Sequence, residues 1–171
     1  MSDKPTFEDV YAPLPNPWLS PEEADRFIEL VCDASPFVEE LDVSDKSIVY
    51  LAVPYSHPDL IVRQARFQTA NICAAHLMRQ GMHVFSPISH THPIALAGQL
   101  PLGFDYWGAF DMAFLSVAKR IIVVTVDGWK ESVGVTKEIA IADGLGLPIS
   151  FMCTGCFDLR SHPCGCAGPP A

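Results

Sequence analysis

The sequence predicts one three-layer α/β domain, with helices on both faces of an open, doubly wound parallel sheet of four to five strands, of the Rossmann or flavodoxin-like kind. Short apolar runs alternate with segments of helical periodicity along most of the chain. The runs are rich in β-branched and aromatic residues, as buried parallel strands are. The 171 residues, 49% of them hydrophobic, suffice for one proper core and not comfortably for two.

Four runs are predicted as strands: SIVYLAVP, MHVFSPI, KRIIVVTVD and LPISFMC. Apolar spacing predicts three helices between them, at about 59–80, 104–118 and 133–145. The stretch SHTHPIALAGQLPLG, before the second of these helices, is predicted to be a polar loop. A further helix is expected from Ser20 to about Ala34, because Ser20-Pro21-Glu22-Glu23 supplies an N-cap, a first-turn proline and early acids.

Composition divides the chain into an N-terminal extension with one helix (1–46), the α/β domain (47–152) and a tail rich in Cys, Pro and Gly (153–171). The net charge of −9 argues against a surface that follows a phosphate backbone, so no nucleic-acid polymer is expected as a partner. No run reaches the roughly 18 apolar residues that would suggest a membrane span. The N-terminus lacks a signal-peptide pattern, and a cytoplasmic protein without a membrane partner is expected.

Ligands of open parallel sheets bind beyond the carboxyl ends of the strands. In this chain that edge is predicted to comprise three segments, Pro54 to Pro58, Ser86 to Gly103 and Asp127 to Gly134. Residues that carry chemistry are therefore sought there first.

Two carboxylates interrupt the apolar faces of the predicted helices that adjoin this edge. Glu138 falls on a stripe of apolar residues in one helix, and Asp111 does so in the helix before it. A carboxylate at such a position must be paired, neutral or used in chemistry. Each could instead border its stripe and reach solvent, or a base such as Lys137 or Arg120. Two together favour function, and a carboxylate pair suits cleavage of a glycosidic bond.

The Glu138 helix begins with Ser132, Val133, Gly134 and Val135. Backbone N–H groups and a hydroxyl converge there with the positive end of the helix dipole, which suits a phosphate or a hydroxyl of a ligand. An ordinary N-cap serine explains the same pattern.

These residues resemble the nucleoside 2-deoxyribosyltransferase-like superfamily. The resemblance spans about residues 47–152 and rests on the strand SIVYLAVPY, the strand VFSPI, W-x-x-x-D at Trp107 to Asp111, and S-x-G-V-x-x-E at Ser132 to Glu138. It implies a catalytic domain in which Glu138 is the nucleophile that takes the sugar at C1′. Asp111 would contact the base and help it leave, and Tyr50 would lie near the nucleophile and the sugar. It also implies a homodimer. No cofactor is expected, apart from a possible structural zinc.

Within that superfamily the transferases carry an aspartate where this chain has Ser132, whereas the nucleotide hydrolases carry a serine that binds the 5′-phosphate. A carboxylate there would repel a phosphate, and a hydroxyl beside helix N–H groups would accept one. The resemblance therefore favours hydrolysis of a nucleoside 5′-monophosphate, with Ser132, Gly134 and Trp107 as substrate-binding residues. The alternatives are a deoxyribosyltransferase that exchanges bases and a non-catalytic nucleotide-binding module.

Other side chains have two interpretations each. His90 and His92 lie in the predicted edge loop, where they would contact substrate, with His90 preferred, or be merely exposed. Trp129 could stack on a base or cover a helix end.

The six cysteines do not suggest a disulfide framework. Those of the tail could form a structural zinc site, against the alternative of a core cysteine followed by a loose tail. The candidate ligands are Cys153, Cys156, Cys164 and Cys166.

Overall fold

A computed structural model of the protein describes residues 47–164. The chain divides into two units, Met1–Phe37 and Val38–Ala171, and all of the described residues belong to the second. The helix predicted from Ser20 to Ala34 lies outside the described residues.

The described residues form one five-stranded sheet in the order β2-β1-β3-β4-β5. The first four strands are parallel to their neighbours, and β5 is antiparallel to β4. The predicted α/β class is confirmed, with an antiparallel edge strand added from the segment expected to be a tail. That strand has only two residues, too few for a sequence pattern. The strands are β1 (Ile48–Ala52), β2 (His83–Phe85), β3 (Ala118–Val124), β4 (Ile149–Met152) and β5 (Leu159–Arg160).

Four helices connect the strands, and three of them match the predicted helices to within about one residue at each end. The helices are α1 (Leu60–Arg79), α2 (Pro87–Gly98), α3 (Phe104–Val117) and α4 (Val133–Gly144). No helix among the described residues is long and apolar enough to cross a membrane.

The prediction of a loop over 89–103 was wrong for most of its length, because α2 occupies residues up to Gly98. Ser86 caps this helix by accepting a hydrogen bond from the backbone N–H of Ser89 at 3.3 Å, and Pro87 fills the first turn. Pro93 lies inside the helix, where its missing N–H leaves one backbone bond unmade. That internal proline and the polar residues of the first turns made the segment resemble a loop.

The core lies on both faces of the sheet, as three layers require. Val49 and Leu51 point to one face, where they pack with Leu77 of α1. Tyr50 and Ala52, the alternate residues of β1, point to the other face, where helices α3 and α4 cover them. Because both faces are covered, β1 is buried from Val49 onward and β3 from Ile121 onward, which accounts for the apolar runs in these strands.

Arg66 of α1 joins two of the loops at the carboxyl edge of the sheet. Its guanidinium donates to the backbone carbonyls of Ser56, at 2.9 Å, and Asp127, at 3.2 Å. Gly128 makes room for it: its φ is 76°, and a Cβ there would lie 2.6 Å from the Arg66 Nη2. The loops after β1 and β3 are thereby held at a fixed separation beside the candidate site.

Candidate active site

A cavity of about 340 Å³ opens at the carboxyl edge of the sheet. Its walls come from the three segments that the sequence predicts for this edge, together with α3 and α4. The volume lies at the lower end of the range for small-molecule sites. The cavity lies where the chain leaves the neighbouring strands β1 and β3 toward opposite faces of the sheet. This is the usual ligand position in such folds.

Glu138 lies in the second turn of α4 and lines this cavity, with only 7% of its surface exposed. The hydroxyl of Tyr50, in β1, donates a hydrogen bond of 2.7 Å to Oε1 of Glu138. Tyr50 is itself completely buried. The nucleophile and tyrosine that the sequence suggests are thus in direct contact, although 88 residues separate them in the chain.

Burial raises the pKa of Glu138 to about 8. The Tyr50 hydrogen bond opposes this rise because it favours the charged carboxylate, and the negative charge of Asp111 adds to it. Burial and the same two carboxylates raise the pKa of Tyr50 far above its usual range, so its hydroxyl keeps its proton and serves as the donor.

Asp111 lies on the buried face of α3 and lines the same cavity, with 8% of its surface exposed. Its Oδ1 is buried and has no hydrogen-bond partner within residues 47–164. Burial raises the pKa of Asp111 to about 6. Leaving a buried acceptor unsatisfied costs about 1–3 kcal/mol, so this oxygen is suited to receive a group from a ligand.

The alternative to a functional role for the two acids was an ion pair with a lysine or arginine side chain. In the described part of the chain the one ion pair joins Arg160 to Asp158. Lys137 instead lies over the ring of Phe104, 4.4 Å from its centroid. Neither Asp111 nor Glu138 therefore has a cationic partner among these residues.

The N-terminus of α4 forms another wall of the cavity. The Oγ of Ser132 accepts a hydrogen bond from the backbone N–H of Val135 at 3.4 Å, so Ser132 is the N-cap of α4. Ser132, Val133 and Gly134 all line the cavity. The two interpretations of Ser132, as an ordinary cap and as a ligand contact, are compatible in this geometry.

The aromatic residues proposed from the sequence divide between the cavity and the core. Trp107 lines the cavity, and its indole N–H donates to the carbonyl of Pro101 at 2.7 Å. Trp129 does not line it. It packs against Phe151 on the face of the sheet that α3 and α4 cover, with 5.6 Å between ring centroids. Trp129 thus packs against the core, whereas the two interpretations offered for it were stacking on a base and covering a helix end.

The two histidines of α2 point in different directions, because residues two apart in a helix lie about 200° apart around its axis. His92 is buried and lines the cavity, where its Nδ1 shares a hydrogen bond of 2.6 Å with the hydroxyl of Tyr55. His90, the preferred candidate, is exposed, stacks on Phe110 and does not line the cavity. Burial, and after it the positive charge of Arg63, lowers the pKa of His92 from its usual value, which favours the neutral ring.

Sequence reasoning did not single out several other cavity residues. Tyr55 lies in the first predicted edge segment, so its position was a usable signal. Phe104, Asp105 and Glu131 adjoin the W-x-x-x-D and S-x-G-V-x-x-E motifs and carry no signal of their own. Four acids line the cavity, while no lysine or arginine does.

Three cysteines of the C-terminal segment lie together outside this cavity. The Sγ atoms of Cys153, Cys156 and Cys164 all lie within 4.8 Å of one another, an arrangement compatible with a metal ion. Cys166, the fourth predicted ligand, lies outside the described residues. None of the three lines the cavity of Glu138.

A family model described as a domain of unknown function, DUF1937, matches residues 47–154. The chain belongs to the DUF1937 family. The match begins one residue before β1 and ends just beyond Cys153, so the DUF1937 domain contains Tyr50, Asp111, Ser132 and Glu138. No curated protein matches the chain.

Proposed function

We propose that this DUF1937 protein hydrolyses the N-glycosidic bond of a nucleoside 5′-monophosphate, giving the free base and a (deoxy)ribose 5-phosphate. The supporting observation is the pair of buried carboxylates at one cavity, Glu138 and Asp111, with the Tyr50 hydroxyl bonded to Glu138. The resemblance of the surrounding motifs to the nucleoside 2-deoxyribosyltransferase-like superfamily assigns the two acids different roles. The same resemblance suggests a homodimer.

In this reaction a carboxylate oxygen of Glu138 attacks C1′ of the sugar, and the C1′–N bond breaks with its electron pair on the base. Tyr50 holds Oε1, which leaves the other carboxylate oxygen for the attack. Asp111, whose Oδ1 has no partner among the described residues, hydrogen-bonds the departing base and gives it a proton. Water then attacks C1′, returns a proton to Asp111 and frees Glu138.

The 5′-phosphate is assigned to the N-terminus of α4. Ser132 and the first residues of this helix line the cavity together with Glu138, which lies about one and a half turns further along the same helix. A phosphate there would accept hydrogen bonds and interact favourably with the helix dipole. This places the sugar between the phosphate site and the nucleophile.

One observation favours a second function, base exchange between unphosphorylated nucleosides by a deoxyribosyltransferase. Asp105 and Glu131 also line the cavity, and no lysine or arginine of the lining offsets them. Their negative charge disfavours a phosphate dianion and tolerates a neutral nucleoside. Both functions use Glu138 as the nucleophile. They differ in the group bound beside Ser132 and in the molecule that accepts the sugar, which is water in the hydrolase and a second base in the transferase.

The deciding experiment incubates the full chain with a panel of nucleosides and 5′-monophosphates, with and without an added free base, and follows the products chromatographically. Base release from monophosphates alone supports the hydrolase. Exchange that depends on an added base supports the transferase. Binding without turnover would assign the protein to non-catalytic nucleotide-binding modules and contradict both enzymatic proposals.

Glu138→Gln is expected to abolish turnover, because an amide oxygen is a far weaker nucleophile than a carboxylate, while Gln keeps the acceptor for Tyr50. The measurement is the initial rate on the best substrate of the panel. Asp143→Asn is the matched control: it is an exposed acid on the same helix outside the cavity lining, and it should retain the full rate. A Glu138→Gln protein with the unaltered rate would remove Glu138 from the mechanism.

A further inference from the structure

The three clustered cysteines lie where the chain leaves β4 and turns back to form β5. Cys153 follows the last residue of β4, Cys156 lies in the turn, and Cys164 comes four residues after β5. The backbone N–H of Phe157 donates to the carbonyl of Cys153 at 2.9 Å, and Phe157 has a left-handed φ of 54°. This tight turn brings the first two thiols together, and the returning strand brings the third.

The separations suit a thiolate-bound metal. Tetrahedral zinc with sulfur ligands at about 2.3 Å places those sulfurs about 3.8 Å apart. All three Sγ atoms lie within 4.8 Å of one another, and those of Cys153 and Cys156 are 3.0 Å apart, so small side-chain rotations would bring them to that spacing. A disulfide between Cys153 and Cys156 would need about 2.05 Å and would give the third thiol no role.

The hairpin formed by β4 and β5 has few other restraints. Only two residue pairs join the strands, and the ion pair between Arg160 and Asp158 is too exposed to contribute much. Phe157 and Leu159 are partly buried and pack against the core on the face of the sheet that α1 covers. A bound metal would tie both ends of this hairpin to the end of a core strand.

We propose that Cys153, Cys156 and Cys164 bind one Zn²⁺ ion that fixes the β4–β5 hairpin against the sheet. The thiols lose their protons on binding, and three sulfurs occupy three corners of the zinc tetrahedron. The sequence offers two fourth ligands, His162 and Cys166, each two residues from Cys164. The role is structural, because none of the three cysteines lines the cavity of Glu138, and it does not depend on the proposed glycosidase activity.

The test uses the full chain, kept reduced, stripped of metal with a chelator and reloaded with Zn²⁺ or Co²⁺. One zinc per chain is expected by elemental analysis, and the cobalt form should show thiolate-to-metal charge-transfer absorption. Cys156→Ala and Cys164→Ala should each weaken zinc binding at least tenfold. Cys73→Ala is the control, because Cys73 is a buried residue of α1 that does not belong to the three-thiol cluster, so the variant should leave the stoichiometry at one.

Hydrogen exchange supplies a readout that does not depend on the variants folding identically. Removing zinc from the unmodified chain should speed amide exchange in residues 149–160 and leave β1 unaffected. His162→Ala and Cys166→Ala identify the fourth ligand, because the variant that lacks it should bind zinc more weakly. If both variants keep the full zinc affinity, the fourth ligand is a solvent molecule and the three-thiolate site is retained. Failure of the reduced protein to bind zinc, or full retention by Cys156→Ala and Cys164→Ala, would overturn the proposal.

Discussion

At the scale of single residues, two opposing effects set the behaviour of Glu138. Burial disfavours the charged carboxylate, whereas the hydrogen bond from Tyr50 favours it, and the raised pKa of Glu138 shows that burial is the larger effect. Asp111 has no comparable hydrogen bond among the described residues, and burial raises its pKa to about 6. The two acids thus titrate as a pair near neutral pH, where one proton is shared between them.

This pair predicts a bell-shaped pH dependence of kcat/KM, with limbs near pH 6 and pH 8, because the proposed reaction needs the form of the pair that holds one proton. The reactive arrangement has the charge on Glu138 and the proton on Asp111, and it is the minor one because Glu138 has the higher pKa. Tyr50→Phe removes the bond that lowers the Glu138 pKa, so the upper limb should move to higher pH. The maximum rate should fall about 10- to 100-fold, since a hydrogen bond to a charged group contributes about 1.5–3 kcal/mol. An unshifted upper limb in a folded Tyr50→Phe protein would show that this bond does not tune Glu138.

The same raised pKa predicts that Glu138 destabilises the fold at high pH. Its pKa rises from 4.5 to about 8 on folding, so the folded state binds its proton more tightly. The resulting stability is fully present below pH 4.5 and is lost as the pH rises through 8. Glu138→Gln, which stays neutral, should therefore match the unmodified protein in acid and exceed its free energy of unfolding by roughly 5 kcal/mol above pH 8.

Denaturant unfolding of both proteins across this pH range measures the difference. Asp143→Asn again serves as the control, because this acid is exposed and should show no such divergence. Parallel stability curves for Glu138→Gln and the unmodified protein would mean that Glu138 is not desolvated in solution.

At the scale of elements, α4 carries both the proposed anion site and the nucleophile. Its N-terminus follows the loop from the carboxyl end of β3, and Ser132 caps it at the cavity. Glu138 comes six residues later, on the buried face with Val135 and Ala142. A single strand–loop–helix unit therefore sets the spacing between the proposed phosphate contact and the proposed nucleophile.

Ser132→Asp should separate the two substrate classes. Asp caps a helix as well as Ser does, so α4 and the stability of the fold should be preserved. The added charge should lower kcat/KM for a 5′-monophosphate at least tenfold, through repulsion of the phosphate, and leave that for the matching nucleoside within about twofold. Ser132→Ala, which removes the hydroxyl without adding charge, is the matched comparison. Equal losses for both substrates would show that no phosphate lies beside Ser132.

At the scale of the whole molecule, the sheet is covered on both faces, and strands β1 and β3 supply half of the residues in the two buried clusters. Ile122 and Leu51 belong to the face under α1, while Ile121 and Tyr50 belong to the face under α3 and α4. The site residue Tyr50 is therefore also a core residue, so the core and the site share one packed unit.

Ile122→Ala should lower the free energy of unfolding by about 2–5 kcal/mol, because Ile122 is completely buried and the shorter side chain leaves a cavity in the core. Leu96→Ala, on a helix residue that is 55% exposed, should change it by about 0.5 kcal/mol or less. Thermal or denaturant unfolding of the two variants makes the comparison. A cost for Leu96→Ala similar to that of Ile122→Ala would mean that Leu96 is covered in solution.

The sequence alone determined the fold class, three of the four described helices, the four parallel strands and the sheet edge that holds the cavity. It did so because continuous apolar runs and helical apolar stripes are local signals of burial on two faces. It also placed Asp111 and Glu138 on buried helix faces, because a charged residue inside an apolar stripe can be recognised from the spacing of the sequence.

Only the tertiary structure decided what those acids contact. The hydrogen bond between Tyr50 and Glu138 joins distant segments, and no local pattern encodes it. The choice of His92 over His90 depended on the rotation of α2, which an internal proline concealed, and Trp129 belonged to the core because of where β4 packs. The two-residue strand β5 and the clustering of three thiols arise from chain reversal after β4, since pairing across a turn depends on position in space and leaves no periodicity in so short a segment.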